Sequence, residues 1–323
     1  MCGENRGDPK LTGAPMSLHV VLAYVAMSQN YLGGIFRQAA QRLGIRTTAV
    51  GPAHGRWLHD APEEPGWEPD VVTGYAAPHV MSPEFWGGVD ALINVDQGDG
   101  FYIQPPGNVP TAHCFTESNP TEHRRAVDAN AIWSGMPHKP EGKATPGLLH
   151  LDWGYNPVHT PIDAPLSDLA RPVDFTLHGS WSEHRNSVLD AVQAAGLSVS
   201  YGPPRSREAW GKTLCEAKMT LVDHNGPFLS GRVVDAMAAG CVVLSPALAP
   251  MDILSPRGYV PVPLRESDGR VDPEAVARIA GEWVALPSYR HRMAERARTT
   301  VAGLTWENQL LRVLGSIGVR LPV

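Results

Sequence analysis

Unbroken apolar runs alternate along this chain with stretches in which apolar residues recur at helical spacing. Such runs are typical of the central strands of a parallel sheet, and they lie at residues 18–25, 45–50, 90–95, 109–118 and 131–134. Between the first two runs, Ile35, Ala39 and Leu43 fall on one helical face that ends at Gly44. With Gly33-Gly34 in a loop before the helix, this order predicts a strand–glycine loop–helix–strand unit of the kind that begins a Rossmann-like half.

The same alternation restarts near residue 173. Strands are predicted at 173–180, 197–201, 219–223 and 242–245, and helices at 183–195, 209–217, 230–240, 272–285, 289–302 and 304–317. A chain of 323 residues also exceeds the usual size of a single domain. We therefore predict an α/β protein with a disordered extension at residues 1–17, an N-terminal Rossmann-like domain at 18–165 and a C-terminal one at 166–323.

The charge, apolar runs and cysteines of the chain reduce the classes of partner and location that fit it. The net charge of −6 gives no general attraction to nucleic acid or to an anionic membrane, and no apolar run is long enough to span a membrane. The four cysteines, Cys2, Cys114, Cys215 and Cys241, are scattered and form neither a disulfide framework nor a zinc motif. These features favour a soluble, cytoplasmic protein.

The most informative stretch runs from residue 230 to 245, a short helix that ends at Gly240 and passes directly into an apolar strand. The free N–H groups at Ser230 and Gly231 would offer an anion site. Arg232 would add a charged donor fork suited to phosphate, and Asp235, one turn on, could accept hydrogen bonds from a ribose. The alternative is an ordinary surface pair between Arg232 and Asp235.

This stretch resembles the donor-sugar-nucleotide region of group 1 glycosyltransferases with the GT-B architecture, and most closely the CgeB-like (spore maturation protein-like) branch. The match is carried by Arg232, Asp235 and Gly240, with Asp in place of the family's usual Glu. The wider family often has a second Glu eight positions earlier, where this chain has Pro227. The resemblance implies two Rossmann-like domains facing an interdomain cleft, with a terminal helix that can pack back across it, and it leaves open whether the reaction retains or inverts the anomeric centre.

The resemblance extends to the opening of the second half, where Gly179 and Ser180 let a diphosphate approach the backbone and Arg185 occupies the place of a basic residue that meets the donor phosphates. A solvated charge is the alternative for Arg185. The full set of predicted donor-binding residues is Gly179, Ser180, Arg185, Gly202, Asn225, Ser230, Gly231, Arg232 and Asp235. Of these, Arg185 and Arg232 are also assigned a catalytic role, neutralising the leaving diphosphate in place of a metal.

The N-terminal half carries the acceptor-side candidates. Asp96 and Asp99 follow a predicted strand, so they lie where ligands bind in open α/β sheets, although an ordinary Asp-Gly turn is the alternative. A general base must be His, Asp or Glu, which leaves Asp96, His113 and Glu117 as catalytic candidates. The resemblance places a double glycine, here Gly33-Gly34, on the acceptor side of the cleft, and Asp99 is grouped with it as acceptor-binding.

We therefore expect a metal-independent glycosyltransferase that moves a sugar from a nucleotide-diphosphate sugar to an acceptor hydroxyl. No cofactor is expected beyond the sugar nucleotide, which is the donor substrate. The acceptor stays open among a small molecule, a lipid, a peptide and a nucleic acid, and so does the oligomeric state. Two alternatives are a sugar-nucleotide epimerase of the same fold and a non-catalytic nucleotide-binding or scaffold protein.

Overall fold

The structure is a computed structural model. It describes residues 18–26, 32–53, 69–75, 78–96, 100–115, 129–134, 149–150, 154–158, 160, 170–177, 182–202, 207–223, 231–246 and 258–320. The chain divides into two compact units, one formed by Gly7–Asp152 together with Trp306–Val323 and the other by Trp153–Thr305. The domain boundary drawn from the sequence lay at residue 165, and the predicted extension at 1–17 lies outside the described residues.

The strands, in chain order, are β1 (His19–Ala23), β2 (Arg46–Gly51), β3 (Val71–Val72), β4 (His79–Val80), β5 (Ala91–Asp96), β6 (Ile103–Gln104), β7 (Thr111–Phe115), β8 (Ala131–Ser134), β9 (Leu149–His150), β10 (Val173–Leu177), β11 (Val199–Tyr201), β12 (Ala217–Leu221), β13 (Val242–Pro246) and β14 (Tyr259–Val262). The helices are α1 (Leu32–Arg42), α2 (Glu183–Ala194), α3 (Arg207–Glu216), α4 (Gly231–Ala238), α5 (Pro273–Val284), α6 (Pro287–Val301) and α7 (Trp306–Ser316).

The first unit is built on a parallel sheet with the strand order β3-β2-β1-β5-β7-β8-β9. The last helix of the chain, α7, belongs to this unit. Its Trp306 ring meets Phe36 of α1 edge to face at 5.9 Å, and Glu307 forms an ion pair with Arg42. Trp306 and Phe36 are both buried, so the contact between α1 and α7 rests on apolar packing.

The second unit has a parallel sheet in the order β11-β10-β12-β13-β14. Its first strand, β10, therefore lies between its second and third strands. The connection after β10 leads to β11 on one side, and the connection after β12 leads to β13 on the other side, which creates a topological switch point between β10 and β12. The predicted α/β class with parallel sheets is confirmed.

Gly33 and Gly34 were predicted to lie in a loop before α1, and that prediction is wrong. Both glycines are buried within the helix, which begins at Leu32. A Cβ on Gly33 would overlap the ring of Tyr24, which directly follows β1. The missing side chain at this position therefore allows close packing of the helix on the strand.

The helix and strand predicted from the 230–245 stretch are confirmed as α4 and β13. The helix ends because Gly240 adopts a φ of 72°, and the chain then turns directly into the buried strand. The buried guanidinium of Arg171 donates to the carbonyls of Leu214, Ala217 and Ala239, at the C-terminal ends of α3 and α4. One cation thereby satisfies carbonyl groups that two helix ends leave open.

Candidate functional site

The switch point of the second unit brings two helix N-termini to one sheet edge. The chain enters α2 after β10 and α4 after β12, and these two strands are neighbours in the sheet. Because both strands are parallel, their carboxyl ends lie at the same edge, where open α/β sheets bind ligands. Helix N-termini at that edge favour anions.

The N-terminus of α2 carries Arg185. Ser182 caps the helix with its hydroxyl, which accepts from the backbone N–H of Arg185 at 3.2 Å. The Arg185 side chain is half-buried in the first helical turn. A cation in a first turn is unfavourable against the helix dipole, so an anionic partner would relieve the position.

Arg232 occupies the first turn of α4 and is exposed. The protein atoms around it lower the pKa of its guanidinium, the positive charge of Arg185 lowers that pKa further, and Asp223 acts in the opposite direction. Because the Arg232 side chain retains solvent access, the lowered pKa reflects partial desolvation by neighbouring protein atoms rather than complete burial. Two arginines from different helices therefore face a common region and repel each other, and a bound anion would reverse that repulsion.

Asp235 is buried, with 5% of its surface exposed, and its Oδ2 accepts a 2.9 Å hydrogen bond from the indole N–H of Trp210 on α3. The burial of Asp235 excludes the alternative of two solvated surface charges on α4. Sequence reasoning did not find Trp210, because its partner lies 25 residues away on another helix. A buried carboxylate that holds such a bond has a fixed orientation.

His184 and Asp223 form a second pair that sequence reasoning missed. His184 lies in the first turn of α2, and Asp223 follows β12 by two residues. The His184 Nε2 and Asp223 Oδ2 atoms are 3.8 Å apart, and both side chains are nearly buried. Burial lowers the pKa of His184 in spite of the Asp223 carboxylate, and Arg270 and Arg265 lower it further.

The other predicted donor residues divide into two groups. Gly202 follows β11 with a φ of 144°, a conformation that residues with a side chain rarely adopt. Gly231 is the first residue of α4 and is half-buried. The remaining four, Gly179, Ser180, Asn225 and Ser230, lie outside the described residues.

The acceptor-side candidates belong to the first unit. His113 lies in the middle of β7, with 1% of its surface exposed, and its ring stacks on Phe115 at 4.2 Å. Asp96 is the last residue of β5, opposite Phe115 in the register, which places it at the carboxyl edge of the sheet. Asp99 and Glu117 lie outside the described residues, so the general base stays a prediction.

The described part of the chain shows neither a metal-site cluster nor a membrane-spanning helix. It contains no group of three or more His, Cys, Asp and Glu side chains arranged to hold a metal ion. No helix in that part is both long and apolar enough to cross a membrane.

A family comparison matches residues 164–315, which cover most of the second unit and its donor-site candidates, to a family model described as glycosyl transferase-like. No curated protein matches this sequence. The family match and the structural likeness described next support a transferase.

Solved structures show the fold. HepE from Anabaena in complex with UDP-glucose is 10% identical with a TM-score of 0.62, covering 94% of this chain and 100% of that chain. A glycosyltransferase from Rickettsia africae has a TM-score of 0.59 at 12% identity, over 93% and 97% of the two chains. A sucrose-phosphate synthase from Thermosynechococcus elongatus has a TM-score of 0.55 at 13% identity, over 91% and 97%. The fold is that of GT-B glycosyltransferases.

Proposed function

We propose that this protein is a glycosyltransferase that moves a sugar from a nucleoside diphosphate sugar to an acceptor hydroxyl. The observation that carries the proposal is the convergence of Arg185, Arg232 and two helix N-termini at the switch point of the second unit. These groups form an anion site with two permanent positive charges, which is what a diphosphate leaving group requires. The glycosyl transferase-like match over residues 164–315 supports the same reading.

Each donor-site residue has a stated role in this proposal. Arg185 and Arg232 bind the two phosphates and become more important as negative charge develops on the leaving diphosphate. Asp235 accepts a hydrogen bond from a ribose hydroxyl, since a carboxylate oxygen can accept this bond in addition to the one from Trp210. A base on the first unit would take the proton of the acceptor hydroxyl, with Asp96, His113 and Glu117 as candidates.

Metal independence is part of the proposal. Two guanidinium groups supply the charge that a divalent cation supplies in other transferases, so the chain's own residues are sufficient to stabilise the diphosphate. We also propose that the chain belongs to the CgeB-like branch, on the pattern of Arg232, Asp235 and Gly240. A cytoplasmic location is proposed because the four cysteines are scattered along the chain and their spacing gives no disulfide framework.

The donor is tested by a thermal-shift screen of UDP, GDP, ADP, TDP and CMP with their common sugar conjugates. UDP-glucose is the first probe, because HepE of Anabaena binds it. A ligand at about a hundredfold excess over its dissociation constant adds about 2.7 kcal/mol to the free energy of unfolding, which moves the midpoint clearly. Failure of every nucleotide to move the midpoint would contradict the proposal.

Turnover separates transfer from the alternatives. A transferase forms one glycosylated acceptor for each donor molecule that it consumes. An epimerase converts the sugar of the donor without any acceptor. Binding without either reaction identifies a nucleotide-binding scaffold. Candidate acceptors from the four open classes are supplied as mixtures, and the released nucleoside diphosphate is measured.

A further inference from the structure

The His184–Asp223 pair borders the proposed donor site, since His184 directly precedes Arg185 and Asp223 interacts electrostatically with Arg232. The proposed function gives neither residue of the pair a role. His184 follows β10 in the first turn of α2, and Asp223 follows β12, so the pair spans the switch point. The 3.8 Å between Nε2 and Oδ2 is longer than a hydrogen bond and short enough for strong electrostatic interaction.

The histidine ring is enclosed and makes no hydrogen bond to the part of the chain that the structure describes. With 7% of the residue exposed, neither Nδ1 nor Nε2 of His184 has a hydrogen-bond partner among the described residues. Buried polar groups in folded proteins are rarely left in this state, and the exceptions often mark functional positions. A change in the charge of this ring would therefore change its electrostatic interactions with the neighbouring charged groups.

Asp223 links His184 to the phosphate-binding arginines. Arg232 interacts electrostatically with both Arg185 and Asp223, and Asp223 also interacts with His184. Asp223 thus places one negative charge beside the two cations that would hold a diphosphate. Its charge opposes the approach of the anionic donor.

We propose that His184 is a positioning residue of the donor site that binds a proton from solvent when the donor diphosphate binds, and thereby offsets the negative charge of Asp223. This inference rests on the proposed function of the site. The proton adds to a nitrogen of the neutral ring, the imidazolium moves to donate to Asp223, and the proton returns to solvent when the nucleotide leaves. No covalent bond to the donor is formed or broken in this step.

The charged surroundings of His184 fix the direction of the effect. In the free protein, burial holds the pKa of His184 below its usual range, Asp223 and Asp268 raise it, and Arg270 and Arg265 lower it. The ring is therefore neutral at neutral pH without ligand. A diphosphate adds negative charge and raises that pKa, so binding takes up a proton when the pH lies between the free and bound values.

The sign of the pH dependence follows from this linkage. Donor affinity rises as the pH falls through the pKa of His184 in the complex, and it levels off once the pH falls below the pKa of the free protein, where the ring is already charged. A single linked proton changes the affinity by at most about tenfold per pH unit.

Calorimetric titration with UDP-glucose tests the inference, because a sugar nucleotide has no phosphate group that titrates in the range studied. Titrations are run from about pH 6 to 8, where an unperturbed histidine changes charge, in buffers with different ionisation enthalpies. Wild type is expected to take up as much as about one proton and to lose affinity as the pH rises. His184→Gln is expected to show neither effect.

Two further variants complete the test. His291→Gln is the matched control, since His291 is an exposed histidine paired with Glu295 on α6, and it is expected to behave as wild type. Asp223→Asn removes the charge that draws the proton, so its uptake over the same pH range is expected to fall. Asp223→Asn also tests the inference by itself if His184→Gln does not fold.

The outcomes distinguish this inference from the proposed function. The role of the pair is overturned if folded His184→Gln or folded Asp223→Asn still takes up a proton and still shows the pH dependence of donor affinity. That outcome leaves the proposed donor site intact. If wild type binds none of the sugar nucleotides in the donor screen, both this inference and the proposed function are overturned. A merely structural role for His184 would lower affinity equally at every pH and leave the proton uptake unchanged.

Discussion

The indole N–H of Trp210 donates a 2.9 Å hydrogen bond to Oδ2 of Asp235, and both side chains are nearly buried. The bond joins α3 to α4 and fixes the carboxylate that we assign to the donor ribose. Charged hydrogen bonds of this kind contribute about 1.5–3 kcal/mol. Trp210 therefore supports the site without being expected to contact the donor.

Trp210→Phe is expected to weaken donor binding and to destabilise the fold. The variant keeps an aromatic ring but removes the indole N–H that donates to Asp235, so the free energy of unfolding falls by about 1.5–3 kcal/mol. Donor affinity falls about tenfold, as measured by calorimetry with UDP-glucose. Trp283→Phe on α5, a half-buried tryptophan in the same unit, is the control and leaves donor affinity unchanged. Equal affinities for Trp210→Phe and wild type would contradict the role assigned to Asp235.

Arg171→Met is expected to cost about 3 kcal/mol or more of stability, because it removes three buried hydrogen bonds to carbonyl groups, of which Ala239 keeps a second donor in Arg298. Those carbonyls belong to Leu214, Ala217 and Ala239. Urea unfolding followed by circular dichroism measures the change. Arg278→Ala, which removes an exposed arginine paired with Glu282, is expected to change stability by no more than about 0.5 kcal/mol. Similar losses in both variants would show that the buried guanidinium does not hold the two helix ends.

Gly33→Ala is expected to destabilise the first unit, because the new Cβ would overlap the ring of Tyr24. Overpacking of this kind costs about 1–3 kcal/mol. The control is Gly315→Ala in α7 of the same unit, where nothing lies within 4 Å of the added Cβ. That variant should gain about 0.5–1 kcal/mol from the higher helix propensity of alanine. A neutral or stabilising Gly33→Ala would contradict the close packing of α1 on Tyr24.

Transfer activity is expected to persist when divalent cations are removed. In the proposed mechanism Arg185 and Arg232 provide the positive charge at the leaving diphosphate. EDTA should therefore leave the rate of donor consumption within about twofold, and added Mg²⁺ or Mn²⁺ should not raise it substantially. The control is a metal-dependent transferase assayed in the same buffers. Loss of activity in EDTA that Mn²⁺ reverses would refute metal independence.

Local signals in the sequence predicted the regular elements well. The cap at Asp272 is confirmed, since its carboxylate accepts from the N–H of Glu274 at 3.2 Å. Gly240 ends α4 with a positive φ, as predicted. The strand β14 was missed because prolines at positions 261 and 263 disfavour a strand, although Pro261 is exposed on this edge strand and is tolerated there.

Contacts between distant segments were beyond the reach of local patterns. Arginines interleaved with Glu295 in residues 290–298 are typical of a solvated face, yet Arg290 is buried and donates to the carbonyls of Trp283 and Val284 on the preceding helix. His184 and Asp223 are brought together only because β10 and β12 are adjacent in the sheet. The position of Arg232 in the first turn of α4 was predictable from the sequence, whereas the residues packed around it depend on the strand order.

The most direct test of the central claim is calorimetric titration of UDP-glucose into wild type, Arg232→Ala, Arg185→Ala and the control Arg278→Ala. If the two arginines hold the diphosphate, each site variant loses at least about tenfold in affinity, equivalent to about 1.4 kcal/mol, while Arg278→Ala binds as wild type does. Wild-type affinity in both Arg185→Ala and Arg232→Ala would contradict the account and place the donor elsewhere on the protein.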